Sequence, residues 1–321
     1  MKKMNMLVIN PGSTSTKVAV YENERECFRK EIIHDHNTLN TGGSELSQID
    51  MREQAVRDAL AAFDFNLSRL DGVVGRGGLL PGLKTGAYAV NDTMCKLIMS
   101  GKLVSHASNL GALLARRIGL MVSVPAIIYD AVSADTMLEV ARITGFPEVR
   151  RQSYCHVLNS RAVCRSFAGE IGRRYEDLRL LVAHLGGGMS VSAHDHGRII
   201  DVISDDGGPF SPERAGSIPT LAVIEMCYSG QYTKEEMLRK HHGAGGLKAL
   251  TGTSDCRVVE RRIAAGDEAA WLAYDAFAYQ IAKGIGNLAP VLDCKPDAII
   301  LTGGAAYSKM LVERIKKELK P

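Results

Sequence analysis

The feature that most constrains the fold of this chain is a sequence pattern that occurs twice. Leu7-Val-Ile-Asn-Pro-Gly12 and Leu181-Val-Ala-His-Leu-Gly186 align at a single offset of 174 residues (186 − 12) in a chain of 321. In each copy an apolar run enters a glycine-rich turn and a second run leaves it, which predicts a strand, a tight turn and a strand. Two interpretations are open at this point: a duplicated unit, one per domain, or the chance recurrence of a short apolar pattern.

Strands and helices alternate along the rest of the chain. Residues 51–63 and 91–99 have helical periodicity, and the apolar stripe of the first is predicted to be core. The run 121–129 is almost continuously apolar, which is typical of a strand buried on both faces, and it delivers Asp130 to its carboxyl end. The alternation predicts an α/β fold.

Length and composition bound the organisation. A chain of 321 residues is long for one hydrophobic core, so two domains are predicted, 1–150 and 151–321. The net charge is only +3 and the basic residues are scattered, so nucleic acid is not expected as a partner. Seven widely spaced cysteines without a Cys-x-x-Cys pair favour a reducing cytoplasm. No apolar run approaches the length of a membrane helix, so a membrane partner is not expected either.

The first turn has the composition of an anion site. Gly12 is followed by Ser13, Thr14 and Ser15, whose backbone N–H groups can converge on an anion and whose hydroxyls can add hydrogen bonds. Lys17 adds a positive charge. The alternative is a plain hairpin turn, for which Gly and Ser are equally usual.

The second turn favours the anion interpretation. Gly186, Gly187 and Gly188 carry no side chain that would block a phosphate, and three glycines weaken a strand unless the space is needed. Two such turns suit a nucleotide phosphate tail bound between two domains. The P-loop pattern is absent. Gly284-Ile-Gly-Asn-Leu-Ala289 resembles a dinucleotide pattern, but it follows a helical stretch where that pattern needs a strand, so helix packing is preferred over a dehydrogenase.

Three charged residues are candidates for catalysis. Arg76 lies among glycines directly after a predicted strand, and Arg214 lies in a loop rich in proline and glycine, so either could clamp a carboxylate or a phosphate. The alternative for both is a solvent-exposed loop arginine. Asp130 is at a strand end, where ligands of α/β sheets gather, and its alternative is a turn or helix-cap aspartate. His194 and His196 could bind a metal, but they flank a predicted hairpin turn and are interpreted as exposed.

Five segments, in order over essentially the whole chain, carry a resemblance to a known family. They are Val8-Ile-Asn-Pro-Gly-Ser-Thr-Ser-Thr-Lys17, Val74-Gly-Arg-Gly-Gly-Leu-Leu80, Val182-Ala-His-Leu-Gly-Gly-Gly188, Gly208-Pro-Phe-Ser-Pro-Glu-Arg214 and Leu301-Thr-Gly-Gly304. They resemble the butyrate kinases, in the acetate kinase branch of the sugar kinase, Hsc70 and actin superfamily. The resemblance implies two duplicated ribonuclease H-like domains with mixed sheets, helices on their faces and a cleft between them. It also implies a homodimer that uses ATP and Mg²⁺ to phosphorylate a short-chain carboxylate.

The resemblance also assigns roles to individual residues. The catalytic residues that it implies are Arg76, Asp130, His184 and Arg214. The residues that it places at the nucleotide are Asn10, Ser13, Ser15, Lys17, Gly186, Gly187, Gly188, Asp255, Arg257, Gly303 and Gly304. The residues that it places in the metal network are Asn10 and Asp130, and those in the substrate pocket are Gly77, Gly78 and Pro212.

The residue types agree with this chemistry. A carboxylic acid is already ionised at neutral pH, so it needs no general base, and repulsion between two anions is what Arg and Mg²⁺ must offset. Gly77 and Gly78 stand where acetate kinases have bulky valines, which predicts more acyl space and a preference for butyrate or branched acids. The alternatives are an acetate or propionate kinase, and a catalytically silent relative that binds ATP.

Two departures from the resemblance lead to further expectations. Ser160 stands where the acetate kinase branch has a second histidine. The chain ends at Pro321, soon after the motif of Gly303, whereas the family continues with a strand and a helix that supplies a glutamate of the metal network. Without that element we expect reduced or absent activity unless another chain fills the gap.

Overall fold

The structure is a computed structural model, and it describes residues 3–35, 45–204 and 206–320. The chain divides into two compact units, residues 1–135 (unit 1) and residues 136–321 (unit 2). The domain boundary predicted after residue 150 and the cleft predicted between domains stay predictions. Within the described ranges, no helix is both long enough and apolar enough to cross a membrane.

In its described residues, unit 1 is a six-stranded mixed sheet with helices. Its strands are β1 (Asn5–Pro11), β2 (Ser15–Glu22), β3 (Arg25–Ile33), β4 (Gly72–Arg76), β5 (Ala87–Ala89) and β6 (Ala126–Tyr129). Its helices in the described residues are α1 (Ile49–Ala62), α2 (Asp92–Met99) and α3 (Leu110–Met121). The strand order is β3-β2-β1-β4-β6-β5, in which β1, β4 and β6 run parallel and the other pairs are antiparallel.

The alternation in β1 and β2 produces the core of unit 1. Leu7, Ile9, Val18 and Val20 are at most 1% exposed and belong to one buried cluster with the apolar residues of α1 and α3. Side chains of a strand alternate between faces, so these four share one face of the sheet and leave the intervening residues on the other. Those intervening positions include Asn10 and Lys17 of the candidate site.

The run 121–129 is not the single strand that its composition predicts. Helix α3 continues to Met121, Ser123 has a φ of +56°, and β6 begins only at Ala126. A short apolar run has the same hydrophobic pattern at a buried helix end as in a buried strand, so periodicity alone could not distinguish the two. The consequence for the site is unchanged, because β6 still ends directly before Asp130.

Unit 2 is a four-stranded mixed sheet with helices in its described residues. Its strands are β7 (Arg179–Leu185), β8 (Met189–Asp195), β9 (Arg198–Ile203) and β10 (Ala298–Thr302). Its helices are α4 (Glu139–Arg142), α5 (Val157–Glu170), α6 (Thr220–Tyr228), α7 (Lys234–His241), α8 (Gly246–Thr251), α9 (Cys256–Ala264), α10 (Glu268–Leu288) and α11 (Lys309–Glu318). Strand β7 is antiparallel to β8 and parallel to β10, and β8 is antiparallel to β9.

The two sheets share one topology. The order β9-β8-β7-β10 of unit 2 repeats the order β3-β2-β1-β4 of unit 1, with the same parallel and antiparallel pairings. The two sequence patterns 174 residues apart (186 − 12) are therefore the first hairpins of two equivalent sheets, which confirms the duplicated unit and the α/β fold.

The glycine pattern near residue 284 is a helix-packing feature, as predicted. It lies within and just after α10, and a methyl group placed on Gly284 would be 3.2 Å from Cδ of Pro209. A dinucleotide fingerprint must follow a strand and open a helix. The dehydrogenase alternative therefore has no structural support in this segment.

Candidate active site

The turn of unit 1, residues 12–14, joins β1 to β2 and places two predicted phosphate ligands beside an acidic residue. The N–H of Gly12 donates to the carbonyl oxygen of Ser15 at 2.8 Å, and Ser13 and Thr14 are exposed. The hydroxyl of Ser15 donates to Oε1 of Glu31 at 2.8 Å. Nζ of Lys17 lies 3.7 Å from the same oxygen. A bound anion at this turn would therefore compete with Glu31 for Ser15 and Lys17.

Three predicted site residues lie at the carboxyl ends of neighbouring strands in unit 1. Asn10 is near the end of β1, Arg76 is the last residue of β4, and Asp130 directly follows β6. These strands are adjacent and parallel, so their ends meet at one edge of the sheet, where α/β proteins bind ligands. Nη1 of Arg76 donates to Oδ1 of Asn10 at 3.4 Å. Burial lowers the pKa of Arg76, although the pKa of a guanidinium is high enough that it stays charged.

Asp130 is held in an unusual backbone conformation. Its φ is +41° and its exposure is 1%. Its Oδ1 accepts the N–H of Gly86 at 2.8 Å, and its own N–H donates to the carbonyl oxygen of Gly86 at 3.0 Å. A positive φ is uncommon outside glycine and costs free energy, and such strain concentrates at functional sites. The surrounding structure thus holds a buried carboxylate at the strand edge.

The oxygen atoms of Asn10 and Asp130 fit a magnesium ion in type. Mg²⁺ prefers carboxylate and carbonyl oxygens and, beside a nucleotide, needs only one or two carboxylates because phosphates and water complete its shell. Across the described residues no group of three or more His, Cys, Asp or Glu could hold a metal alone. A metal held by these two oxygens would need phosphates or water to complete its shell.

Gly77 and Gly78 are explained by packing inside unit 1. A methyl group on Gly77 would lie 2.6 Å from Cα of Ala131, and one on Gly78 would lie 2.7 Å from Cα of Asn109. Real Cβ atoms do not come this close to backbone, so both positions need glycine whatever the ligand is. The predicted role of these glycines in acyl space stays a prediction, and it needs support other than their lack of a side chain.

In unit 2 the turn Gly186 to Gly188 follows His184, whose ring is held on two sides. Nδ1 of His184 is 2.7 Å from Oδ1 of Asn159, and the ring stacks on that of His156 with centroids 3.7 Å apart. With the amide oxygen so assigned, Nδ1 carries the proton. A methyl group on Gly186 would lie 3.0 Å from Nε2 of the same ring, so that nitrogen lies beside the turn.

His156 is a residue that the sequence analysis missed. It precedes α5, and its Nδ1 lies 2.8 Å from the hydroxyl of Ser190 on β8. Its place beside His184 depends on a contact between residues 28 positions apart (184 − 156), and a single histidine before a helix carries no local signal of that contact.

Arg214 packs directly on the glycine turn of unit 2. A methyl group on Gly188 would lie 2.9 Å from the guanidinium carbon of Arg214. The hydroxyl of Ser211 accepts the N–H of Arg214 at 3.0 Å and donates to the carbonyl oxygen of Gly187 at 2.6 Å, so it ties the two segments together. Burial lowers the pKa of Arg214, which remains a cation. The interpretation as a solvent-exposed loop arginine is therefore wrong.

A pocket of about 430 Å³ opens beside this turn and gathers most of the predicted nucleotide residues of unit 2. Its lining residues are Gly186, Gly187, Pro212, Glu213, Ser254, Asp255, Cys256, Arg257, Gly304 and Ala305. Asp255 is the N-cap residue of α9 and accepts two hydrogen bonds from the side chain of Arg257 at 3.0 and 2.8 Å. The Arg257 side chain, with its backbone N–H, lowers the pKa of Asp255 to about 2.

Gly303 precedes the pocket-lining Gly304 and lies against the first strand of unit 2. It follows β10, which pairs with β7 so that Thr302 lies opposite His184. Its φ is +89°, and a methyl group there would lie 2.5 Å from the carbonyl oxygen of Leu185. Only glycine fits this backbone conformation and this approach, which brings the motif of Gly303 and Gly304 next to the turn.

The pair of histidines near residue 195 does not behave as predicted. His194 is fully buried, with Nδ1 at 2.7 Å from the hydroxyl of Tyr175 and Nε2 at 2.8 Å from the hydroxyl of Ser192. Burial lowers the pKa of His194 to about 3, so it is neutral. His196 is at the hairpin turn and is largely exposed, as expected. The prediction for His194 is wrong because β8 is buried on both faces from Met189 to His194, so the strand leaves the core only at Asp195.

The two duplicated mixed sheets define the class of protein by its fold, an α/β fold shared with crystal structures of an acetate kinase and a propionate kinase. The crystal structure of Porphyromonas gingivalis acetate kinase matches with a TM-score of 0.79 and 18% identity, over 98% of this chain and 87% of that one. The crystal structure of a propionate kinase from Francisella tularensis subsp. tularensis SCHU S4 matches with a TM-score of 0.74 and 20% identity, over 98% and 88%. At these identities the likeness shows the fold alone.

The model of the Acetokinase family matches residues 146–320, more than half of the chain. The chain belongs to the Acetokinase family. Membership implies a carboxylate phosphotransferase that uses ATP with a divalent metal.

Proposed function

We propose that this chain transfers the γ-phosphoryl group of ATP to a short-chain carboxylate, with butyrate as the preferred acceptor. The observation that carries the proposal is the packing of the Arg214 guanidinium on Gly188, beside the pocket that Gly186, Asp255 and Gly304 line. A cation next to a glycine turn and a nucleotide-sized pocket is an arrangement suited to a transferring phosphoryl group.

The reaction forms one bond and breaks one. A carboxylate oxygen attacks the γ-phosphorus, the bond from that phosphorus to the bridging β,γ oxygen breaks, and ADP leaves with the electron pair. The acceptor is already ionised near neutral pH, so no side chain needs to remove a proton. Catalysis then depends on positioning two anions and on offsetting their repulsion.

The residues of unit 2 would bind the nucleotide and the transferring group. Arg214 would donate to the phosphoryl oxygens, and His184, held by Asn159 and His156, would present Nε2 beside the turn. The pocket along Asp255 and Arg257 would take the adenosine.

The residues of unit 1 would hold the acceptor and the phosphate tail. Arg76 at the strand edge would clamp the carboxylate, and Ser13, Ser15 and Lys17 would bind phosphate oxygens in exchange for Glu31. Asn10 and Asp130 would hold Mg²⁺, whose chemistry is to neutralise the charge that develops on the phosphates.

The acyl preference rests on sequence resemblance. Gly77 and Gly78 after Arg76 resemble the butyrate kinases, but each glycine is packed against Ala131 or Asn109 and does not itself leave a cavity. The matched crystal structures are of acetate and propionate kinases, which makes a shorter acceptor the second candidate.

A series of acceptors tests the proposal. ADP release is measured with ATP, Mg²⁺ and acetate, propionate, butyrate or isobutyrate, and the acyl phosphate is trapped as its hydroxamate. We expect the highest kcat/KM with butyrate. A maximum at acetate or propionate overturns the butyrate preference alone, whereas ATP binding without release of ADP on any carboxylate overturns the transfer itself.

We also propose a cytoplasmic homodimer, as the resemblance implies. None of the seven cysteines, which all lie in described residues, forms a disulfide, in agreement with a reducing compartment. Helix α6 carries apolar side chains that its own unit leaves exposed, including Leu221 at 76% and Tyr228 at 88%, and a second copy is the occupant proposed for them. Light scattering on the wild type and on Leu221→Arg tests this, with a shift from dimer to monomer expected. A wild type that is monomeric at micromolar concentration contradicts it.

A further inference from the structure

The apolar stripe of α1 contains a fully buried arginine that the function proposed above does not use. Arg52 is 0% exposed, although its neighbours on the same face are core residues such as Val56 and Leu60. Burial lowers the pKa of Arg52, which is the sign of a charge taken out of water. A buried guanidinium is costly unless each of its donors finds a partner.

The donors of Arg52 find their partners in the turn of unit 1. Nη2 donates to the carbonyl oxygens of Gly12 at 2.9 Å and Ser13 at 3.3 Å. Nη1 donates to the carbonyl oxygen of Ser15 at 3.1 Å and to the hydroxyl of Thr16 at 2.8 Å. Nε and Nη2 also donate to Oε1 of Gln48, at 3.0 and 2.9 Å. One side chain therefore binds oxygen atoms of four residues of this segment, namely Gly12, Ser13, Ser15 and Thr16.

These hydrogen bonds to Arg52 determine where the N–H groups of the turn point. All described peptide bonds here are trans, and in a planar trans peptide the C=O of one residue and the N–H of the next point in opposite directions. With the carbonyl groups of Gly12 and Ser13 turned to Arg52, the N–H groups of Ser13 and Thr14 point away from it. Both of these residues are exposed, so their donors face the side from which an anion can approach.

The contact with Thr16 extends the arrangement one residue further. Arginine only donates, so the Thr16 hydroxyl accepts from Arg52 and its own hydrogen is left for Nε2 of His34, 2.8 Å away. Burial, and then the charge of Arg52, lower the pKa of His34, in agreement with an Nε2 that accepts. Thr16 is 0% exposed, and its two hydrogen bonds thus hold the start of β2 on the core side.

We propose that Arg52 is the positioning residue of the phosphate turn in unit 1: it holds the carbonyl groups inward so that the N–H groups meet the nucleotide. The inference rests on the proposed function, because it takes residues 12–16 as the place where ATP phosphates bind. Arg52 does not itself touch the ligand. Its guanidinium acts through the backbone, and its positive charge lies behind the anion site.

The test compares Arg52→Met, which keeps the length of the side chain without donors, with Arg52→Lys, which keeps the charge with fewer donors. Arg57→Met on the exposed side of the same helix is the matched control, since its side chain is 44% exposed. For Arg52→Met we expect the KM for ATP to rise about 10-fold or more, because hydrogen bonds to a charged group are lost. The KM for the carboxylate should change less than about 2-fold, since Arg76 is untouched. Arg52→Lys should fall between, and Arg57→Met should match the wild type.

Amide hydrogen exchange gives a readout that does not need turnover. Peptides covering residues 8–18 should exchange at least about 10-fold faster in Arg52→Met, while peptides covering residues 182–190 should not change. A folded Arg52→Met with wild-type exchange and wild-type KM for ATP overturns the inference. If that variant does not fold, Arg52→Lys decides, and wild-type values in it overturn the inference equally. The two proposals can fail separately. If the wild type shows no turnover but Arg52→Met still exchanges faster in this turn, the proposed function is contradicted, and the positioning of the turn by Arg52 is supported.

Discussion

The first hairpins of the two units have the same strand pairing but are held in opposite ways. In unit 1 the turn keeps its hydroxyl side chains and is gripped by Arg52, which lies buried under its carbonyl groups. In unit 2 the turn consists of three glycines, and Arg214 packs directly on Gly188. Each turn therefore has one arginine, but that of unit 1 shapes the backbone and that of unit 2 lies where a ligand would bind.

The difference teaches what a glycine-rich turn needs in order to bind an anion. A turn that keeps Ser and Thr can offer hydroxyls, but its backbone must be fixed by a partner from elsewhere in the fold. A turn of glycines offers only N–H groups and leaves space, which a side chain such as Arg214 can use. Duplicated topology does not require duplicated chemistry.

The largest effect in this comparison of the two turns is expected when Arg214 of unit 2 is removed. We expect Arg214→Ala to lower kcat about 10³-fold or more, because an arginine that stabilises a transferring phosphoryl group contributes on this scale. Arg239→Ala, on an exposed position of α7, serves as the control and should keep the wild-type kcat. Steady-state kinetics with ATP and butyrate measure this effect. A loss of kcat under 10-fold would contradict a contact between Arg214 and the transferring phosphoryl group.

The second prediction contrasts a glycine of the turn with one outside it. In Gly188→Ala the new methyl group would meet the Arg214 guanidinium at 2.9 Å, so the arginine must move, and we expect kcat to fall about 10- to 100-fold. In Gly169→Ala, at an exposed position of α5, no atom lies within 4 Å of the new methyl group, so this variant should stay within about 3-fold of the wild type. Equal losses in both variants would show that the contact with Arg214 is not the cause.

The third prediction concerns the core beneath the hairpin of unit 2. His194 is neutral with its pKa lowered to about 3, whereas in the unfolded chain it protonates near pH 6.5. The unfolded state therefore binds the extra proton first, and stability is lost as the pH falls from 6.5 towards 3, with a slope of about 1.4 kcal/mol per pH unit.

Denaturant unfolding at pH 6.5 and pH 5.0 measures that slope. Between these values the wild type should lose about 2 kcal/mol more stability than His194→Gln, which has no such proton to bind. Hydrogen exchange should show the loss in the peptides of β7 and β8, because the partners of His194 are Tyr175 and Ser192 of unit 2. An equal pH dependence in both proteins would contradict the assignment.

The smallest effect is expected at the outer side of the unit 1 turn. Glu31 contacts Ser15 and Lys17, but its side chain and that of Lys17 are 52% and 59% exposed, so water and salt screen the pair. Glu31→Gln should therefore change the KM for ATP less than about 3-fold. A larger drop in KM, removed by raising the salt concentration, would mean that Glu31 competes with the nucleotide more strongly than its exposure indicates.

Local sequence patterns were enough to predict the fold class and much of the candidate site. The alternating run of β1 specifies a strand because side chains on a strand alternate between two faces, and the apolar run of β7 specifies one that is buried on both faces. The placement of Asp130 after a strand, and of glycines in both turns, follows from equally local chemistry. These features depend on neighbours within a few residues, which is why a sequence alone could predict them.

Contacts between distant residues were decided only by the tertiary structure. Arg52 meets Thr16 across 36 positions, His194 is buried against Tyr175 across 19, and the reason for Gly77 lies in Ala131. Polar atoms removed from water must find partners wherever the packed chain brings them, and periodicity does not record those partners. The sequence by itself determined two duplicated hairpins with their glycines. Only the tertiary structure decided that Arg52 binds the carbonyl groups of one turn from the core, while Arg214 packs on the glycines of the other.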